Sequence, residues 1–327
     1  MNYLGVKASN KGSPKGQSPF ARYPLVVIVG PTAVGKSELA IYLAQIFDGE
    51  IVSADSRQVY MDIGTAKPGL EERAAVPHHL IDQVDPDQDF SLALYKKLAL
   101  HIIEDIQGRG KLALLVGGSG LYVWSVVEGW AIAQVPPDPE FRRSLEERAA
   151  REGSLALYHE LQQVDPVGAE KIDSSNARRV IRALEVCRGA GGSLSQLLRK
   201  EPPWFDTFLV GLTAERGEIY RRIDSRVDDM VKCGLVDEVQ GLIDRGYGLE
   251  LSSMSGIGYR QIGEFLQGEL DLATAIQRTK YETHRVARHQ YAWFRLKDER
   301  IHWFDITRNI QEPIGRMIGD WLDGRKI

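Results

Sequence analysis

One octapeptide, Gly30, Pro31, Thr32, Ala33, Val34, Gly35, Lys36 and Ser37, carries the residue types and spacing of an anion site. It fits G-x-x-x-x-G-K-[ST] at every fixed position. Glycines at those places let backbone N–H groups wrap around a phosphate. Lys36 adds a point charge for the outer phosphate, and Ser37 offers a hydroxyl to a magnesium ion bridging two phosphates. The octapeptide alone leaves open whether those phosphates belong to a nucleotide or to another diphosphate.

Two further groups are placed to act on whatever is bound there. Asp55 ends the run Glu50 to Ala54, and Ser119 lies in the segment Gly117 to Tyr122, GGSGLY, which follows the apolar run Lys111 to Val116. In a parallel α/β sheet the carboxyl ends of the strands form the ligand crevice, so both residues are expected beside the phosphate cradle. An acid there positions a metal, or takes a proton from an acceptor.

The elements that must hold these groups follow from periodicity. Leu25 to Val29 reads as a strand, and Glu38 to Phe47 as the helix whose positive dipole end faces the anion. Ser56 to Pro68 is too polar and glycine-containing for a regular element and reads as an active-site loop. A short strand is expected at His79 to Asp82, with His78 and His79 in structural roles, since neighbours on a strand point to opposite faces. A helix follows from Asp89 to Ser91 as far as Gln107. Lys111 to Val116 and Phe208 to Leu212 are continuous apolar runs of the kind buried on both faces of a parallel sheet, and Ile301 to Phe304 reads as an edge strand.

Between Val135 and Lys200 the pattern is helical with prolines at the joints, and Val180, Leu184 and Cys187 make an apolar face. The fold class expected is therefore α/β: a P-loop NTPase-like parallel sheet flanked by helices, with a helical insertion domain. Residues 1–21 read as a disordered leader, 22–134 with 201–327 as the P-loop domain, and 135–200 as the insertion.

Basic residues mark possible phosphate contacts outside the cradle. Arg178 and Arg182 lie one turn apart beside Arg179, which suits a solvated helix face or a nucleic-acid contact alike, and Arg221, Arg222 and Arg226 suit either a phosphate-binding lid or a salt-bridged surface. Ile276 to Lys297 holds six basic residues and one acid. There Arg278, Arg285, Arg288 and Arg295 form one stripe, with Val286, Trp293 and Phe294 on the opposite, core side.

Composition narrows the classes. The chain has 327 residues, 43% hydrophobic and 26% charged, with a net charge of -4, so nucleic acid would have to be met by local basic surfaces. Its two cysteines, Cys187 and Cys233, form no CxxC and argue against a disulfide framework or a structural zinc site. No run approaches the roughly 18 apolar residues of a membrane span. The residues leave three readings: a transferase acting on a diphosphate, an ATP-dependent kinase of a small molecule or nucleotide, and an RNA-binding protein that uses nucleotide as a switch. Against the kinase, Leu112 to Val116 empties into glycines and not into the Asp that commonly holds magnesium in P-loop NTPases.

Seven stretches, taken together, carry a resemblance. They are GPTAVGKS, SADSRQVY with MDIGTAKP, PHHLIDQVDP, LLVGGSGLYV, VDPVGAEKI with NARRVIRALEV, SGIGYRQI and THRVARHQYAWFR. In this order the chain resembles the bacterial tRNA dimethylallyltransferase, or tRNA isopentenyltransferase, family. The resemblance implies that the cradle holds dimethylallyl diphosphate with Mg2+. It further implies that the acceptor is N6 of the adenosine 3′ to the anticodon, and that the partner is the anticodon stem-loop of tRNA. Asp55 would be the base, and Lys36 and Ser119 would assist the leaving diphosphate, Ser119 standing where the family usually has threonine.

By the same matching, Asp55, Ser56, Arg57 and Gln58, with Met254, Ser255, Gly256, Ile257, Gly258 and Tyr259, would line the channel that receives the flipped base. Arg142, then Arg178, Arg179, Val180, Ile181 and Arg182, and finally Thr283, His284, Arg285, Val286, Ala287, Arg288, His289 and Gln290 would hold the anticodon arm. The loop is shorter than the family pattern between Tyr60 and Met61. A cytoplasmic monomer that needs no membrane is expected.

Overall fold

The computed structural model describes residues 23–64, 67–133, 135, 136, 138–190 and 200–324. The expected leader, residues 1–21, lies outside them. The chain divides into two compact units, one of Trp124–Pro203 and one of the sequence on either side of it.

In the larger unit, six parallel strands run in the order β3-β2-β4-β1-β5-β6. They are β1 (Tyr23–Val29), β2 (Gly49–Ser53), β3 (His78–His79), β4 (Leu112–Val116), β5 (Phe205–Thr213) and β6 (Ile301–Asp305). Val27 of β1 pairs with Leu115 on one side and Leu209 on the other; β5 pairs with β1 along its whole length, and β4 from Leu25 to Ile28. Alternation then buries both faces. Val26 and Ile28 join Leu39 and Leu43 of α1 (Lys36–Ile46) and Ile314 and Ile318 of α13 (Gln311–Asp323), while Leu25, Val27 and Val29, pointing the other way, are equally inaccessible.

Helix α3 (Leu92–Gly108) starts where the sequence places it, with the Ser91 hydroxyl accepting the Leu94 N–H at 3.1 Å. The expected strand at His79 to Asp82 shrinks to His78–His79 because Leu80 and Asp82 take positive φ values of 62° and 56°, which turns the chain out of the sheet. Helix α2 (Leu70–Ala75) is an addition to the expected elements, and the sheet resumes at Phe205, three residues before the apolar run that announces it. Strand β6 is at the edge of the sheet.

Beyond β5 the chain adds α9 (Arg216–Lys232), α10 (Leu235–Asp244), α11 (Tyr259–Leu266) and α12 (Leu272–Trp293). Between them α10, α11 and α12 bury Leu235, Val239, Ile262 and Ala275, and the loop residues Val59, Tyr60 and Ile63 pack into the same cluster. The active-site loop is thereby fixed from below by apolar contacts.

The smaller unit is helical: α5 (Pro139–Glu152), α6 (Ser154–Val164), α7 (Pro166–Ala169) and α8 (Ala177–Ala190) enclose Leu145, Leu157, Leu161, Val180, Leu184 and Cys187. Helix α4 (Gly120–Val127) carries the chain from one unit into the other.

Candidate active site

Strands β1, β4 and β2 are neighbours, and the three segments singled out in the sequence leave their carboxyl ends side by side. The first is the phosphate loop. Gly30 has φ of 143°, and a Cβ there would lie 2.4 Å from the Leu212 carbonyl oxygen, so only glycine lets the loop turn this close to β5. Lys36 folds back over the loop, its Nζ donating to the Gly30 oxygen at 3.0 Å and the Pro31 oxygen at 2.6 Å.

The second and third segments are joined to each other. A Cβ on Gly117 would lie 2.1 Å from the Ala54 oxygen, and the Ser119 N–H donates to that same oxygen at 3.2 Å. The Ser119 Oγ in turn accepts the Ser56 N–H at 3.1 Å. Asp55, between these two bonds, has its Oδ1 held by the Arg57 N–H at 2.9 Å, and Arg57 is itself anchored on the Ser252 oxygen at 2.6 Å. Beneath them, buried Tyr95 donates to the Ser53 oxygen at 3.2 Å and stacks on Tyr122 with ring centroids 3.7 Å apart. Burial raises both phenols well above their ordinary range, so the floor under Asp55 is uncharged.

These segments open on one cleft of about 800 Å3, lined by Thr32 to Glu38, Asp55 to Gln58, Gly117 to Tyr122, and by side chains of α9 and α12. Burial, opposed by Asp55 and aided by Arg226, lowers the Lys36 ammonium to about 8. Lys36, Arg222, Arg226 and the loop amides thus line one space, an arrangement for an anion that develops charge. The cleft also has an apolar portion from Ile223, Val227, Met230, Val286 and Trp293.

The structure brings together most of the residues expected at the chemical centre. Lys36, Ser37, Asp55, Ser56, Arg57, Gln58, Ser119, Ile257, Thr283, Val286, His289 and Gln290 all line the cleft. Met254 and Tyr259 do not: they are buried in the cluster under α10 and α11, Gly256 and Gly258 are buried as well, and Ser255 turns its hydroxyl to the Ser252 oxygen. Along α12, Ala287 is buried, Arg285 pairs with Glu282, His284 bonds Asp224 and stacks on Tyr220, and Arg288 donates to the Tyr220 hydroxyl. The division of α12 into faces also differs from the expected one. Val286 and Trp293 are part of the cleft wall, and of that trio Phe294 alone is core.

In the helical unit, Val180 and Ile181 are core. Arg142 and Arg182 both turn onto Glu185, which is 1% exposed, with the Arg142 Nη2 2.8 Å from its Oε2. Burial works to raise the Glu185 carboxyl, but those two guanidiniums and the Asp138 N–H hold it below its ordinary range. A buried acid one turn from Arg182 thus pairs with both arginines that the resemblance sets against the anticodon arm. Arg178 and Arg179 remain exposed. Conversely, Arg222 and Arg226, left between lid and surface by the sequence, both line the cleft, and their spacing of four on α9 is the signal that they share a face. His78 and His79 are used structurally, on the Val76 oxygen and on Glu50, each at 2.8 Å.

The donor set suits magnesium. That ion takes hard oxygen ligands and is ordinarily bound by one or two protein oxygens together with phosphates. The Ser37 hydroxyl and the Asp55 carboxylate both line the cleft beside the phosphate loop.

Comparison with known proteins agrees with this geometry. The profile of the IPP transferase family matches residues 58–297. A tRNA dimethylallyltransferase of Thermomicrobium roseum is 52% identical over 289 residues, 88% of either chain. Among solved structures, the full-length tRNA isopentenylpyrophosphate transferase of Bacillus halodurans is 40% identical, with a TM-score of 0.69 over 93% of this chain and 98% of that one. A eukaryotic dimethylallyltransferase acting on tRNA superposes with a TM-score of 0.76 at 28% identity, over 93% of this chain and 80% of that one. With the phosphate loop, the Asp55 strand end and the glycine segment set around one cleft, and with relatives this similar over nearly the whole sequence, the chain belongs to the IPP transferase family.

Proposed function

We propose that the protein transfers the dimethylallyl group of dimethylallyl diphosphate to the exocyclic N6 of the adenosine 3′ to the anticodon in tRNA, releasing diphosphate. The observation that carries this reading is the common cleft, in which a cationic phosphate cradle and the carboxylate of Asp55 face one space. An aromatic amine is a weak nucleophile, because its lone pair is delocalised into the ring. As the N6–carbon bond forms and the carbon–oxygen bond to diphosphate breaks, the N6 proton passes to Asp55. The Arg57 N–H on Oδ1 orients the carboxylate and leaves its other oxygen for the acceptor.

On the leaving side, Lys36 and the loop amides receive the charge that develops on diphosphate. Lys36 must exchange its bonds to the Gly30 and Pro31 oxygens for the ligand, which keeps the loop's charge compensated until the ligand arrives. Ser37 would hold a magnesium ion, which would supply further positive charge on the leaving-group side. The apolar wall from α9 and α12 takes the prenyl chain. Exposed Arg178 and Arg179 of the helical unit meet phosphates of the anticodon arm, and an unpaired loop base leaves its stack at small cost. The activity belongs to the cytoplasm, with its tRNA substrate.

The test is incubation with unmodified tRNA, magnesium and labelled dimethylallyl diphosphate, with labelled ATP in a parallel tube, followed by nucleoside analysis. Prenyl label on adenosine N6 is the expected result. Phosphate moving from ATP to an acceptor, without prenyl transfer, overturns it in favour of a kinase.

A further inference from the structure

Gln290, near the end of α12, makes two hydrogen bonds that tie together segments far apart in sequence. Its Oε1 accepts the Thr32 N–H of the phosphate loop at 2.8 Å, and its Nε2 donates to the Gly118 oxygen at 3.1 Å. One planar amide therefore spans the gap between the loop after β1 and the loop after β4, using an acceptor on one side and a donor on the other. Few side chains can do this, because the two backbone groups demand opposite polarity at a fixed separation.

The glycines of the second loop are fitted to the same helix. A Cβ on Gly118 would lie 2.1 Å from Gln290 Nε2, and a Cβ on Gly120 would lie 2.2 Å from Cγ of Trp293. Gln290 and Trp293 are three residues apart and so share one face of α12. Gly118 and Gly120 thus leave room for α12 side chains, whereas Gly117 leaves room for the Ala54 carbonyl next to Asp55.

We propose that Gln290 is a positioning residue for the transfer reaction: it sets the distance between the phosphate cradle and the segment carrying Ser119, and through the Ser119–Ser56 bond the distance from the departing diphosphate to Asp55. This rests on the function proposed above. It differs from a direct contact to tRNA, because both polar ends of the amide are engaged by the protein's own loops. A diphosphate seated in the loop is then held at a fixed height above the base, and in-line transfer needs that registration. The last turn of α12 acts as a strut between leaving group and base.

The experiment compares wild type with Gln290→Leu, which keeps the bulk but neither bond, and Gln290→Glu, which keeps the acceptor for Thr32 and loses the donor to Gly118. Three quantities are read: binding of inorganic diphosphate by calorimetry, KM for dimethylallyl diphosphate and for tRNA separately, and kcat. Gln290→Leu is expected to weaken inorganic diphosphate and lower kcat by about tenfold each, the scale of one or two lost hydrogen bonds, with KM for tRNA unchanged. Gln290→Glu should fall between.

A second test is compensation. Gly118→Ala places its methyl against the Gln290 amide and is expected to damage kcat, whereas the same change made in a Gln290→Ala background should do less harm than in wild type. A rise in KM for tRNA with diphosphate binding intact overturns the strut and makes Gln290 a tRNA contact; so does strict additivity of the Gly118 and Gln290 changes. If wild type binds diphosphate but transfers no prenyl group, the functional reading fails while the diphosphate comparison still tests the strut.

Discussion

Strand β2 and the turn beyond it carry two acids five residues apart that live in opposite circumstances. Glu50, inside the strand, is 4% exposed and saturated with partners: Arg109 donates to both oxygens, His79 Nε2 donates to Oε2 at 2.8 Å, and Lys111 lies 3.7 Å from Oε1. Asp55, just past the strand, is held by one backbone N–H and faces a cleft. The same residue chemistry is spent on the fold at one end and kept for a ligand at the other. Number of partners, more than burial, separates the two uses.

The widest separation comes from Asp55→Asn. The amide keeps an acceptor for the Arg57 N–H, so the turn survives, but it cannot take a proton from N6. Transfer should drop by about a hundred- to ten-thousandfold, the usual worth of a positioned base, with the unfolding temperature and diphosphate binding little changed. A full-rate variant would remove Asp55 from the reaction and end the contrast.

At the other end, Arg109→Ala leaves Glu50 buried with weakened compensation. A loss of about 3 kcal/mol of stability is expected in denaturant titration, at the low end for a broken buried pair because His79 and Lys111 remain. Transfer per folded molecule should be unaltered. Activity lost beyond the folded fraction would mean that the two ends of β2 are coupled.

pH acts on the buried acid of β2 and on the cleft in opposite directions. The Arg109 hydrogen bonds, against burial and with help from His79, depress Glu50 from 4.5 to about 2. An acid whose folded value is depressed stabilises fully above its unfolded value, so this contribution is intact above about 4.5 and is lost as pH falls toward 2. Lys36 works from the other side. With its ammonium lowered to about 8 by burial, affinity for an anion in the cradle is steady below that value and declines as pH rises through it. Calorimetry with inorganic diphosphate between pH 6.5 and 9.5 should show that decline, together with proton uptake on binding at the alkaline end. A profile that is flat after allowance for the protonation of diphosphate itself would show that Lys36 keeps its proton throughout.

The contrast between the two acids was half legible in the sequence. Asp55 could be placed at the crevice because its position after a strand and its neighbours are local facts, and the parallel sheet itself follows from apolar runs such as Leu112 to Val116. Nothing local marks Glu50 as a buried hub, since its partners Arg109 and His79 are 59 and 29 residues away. Arg142 and Arg182 show the same limit: the run Arg178, Arg179 and Arg182 suits a solvated face or a phosphate contact alike, and nothing local announces buried Glu185 as the partner of Arg182 and of Arg142 on another helix. Gln290 likewise falls within a basic helix, and its role appears only when Thr32 and Gly118, 258 and 172 residues distant, are brought to its two ends. Periodicity reports which face of an element is apolar; it carries no information on which distant charge or carbonyl will meet a given side chain.

The finest test concerns Ser119, whose hydroxyl joins the loop after β4 to the segment carrying Asp55. In the fold it serves as an acceptor, for the Ser56 N–H at 3.1 Å, with a longer approach to the Ser56 hydroxyl at 3.4 Å. Ser119→Ala removes that acceptor, leaves a backbone donor in the cleft wall unpaired, and should slow transfer by about tenfold, the scale of one lost hydrogen bond. Ser119→Thr retains the oxygen and adds a methyl that restricts its rotation. Since the bond to Ser56 fixes which rotamer is needed, a stiffer side chain in that rotamer should change kcat by less than about threefold, in either direction, with KM for dimethylallyl diphosphate moving no more than kcat. A tenfold gain on Ser119→Thr would show that the serine's freedom limits the reaction. A tenfold loss would show that the methyl collides with the Ser56 segment, making the close approach of the two loops, and not the hydroxyl alone, what this position is selected to preserve.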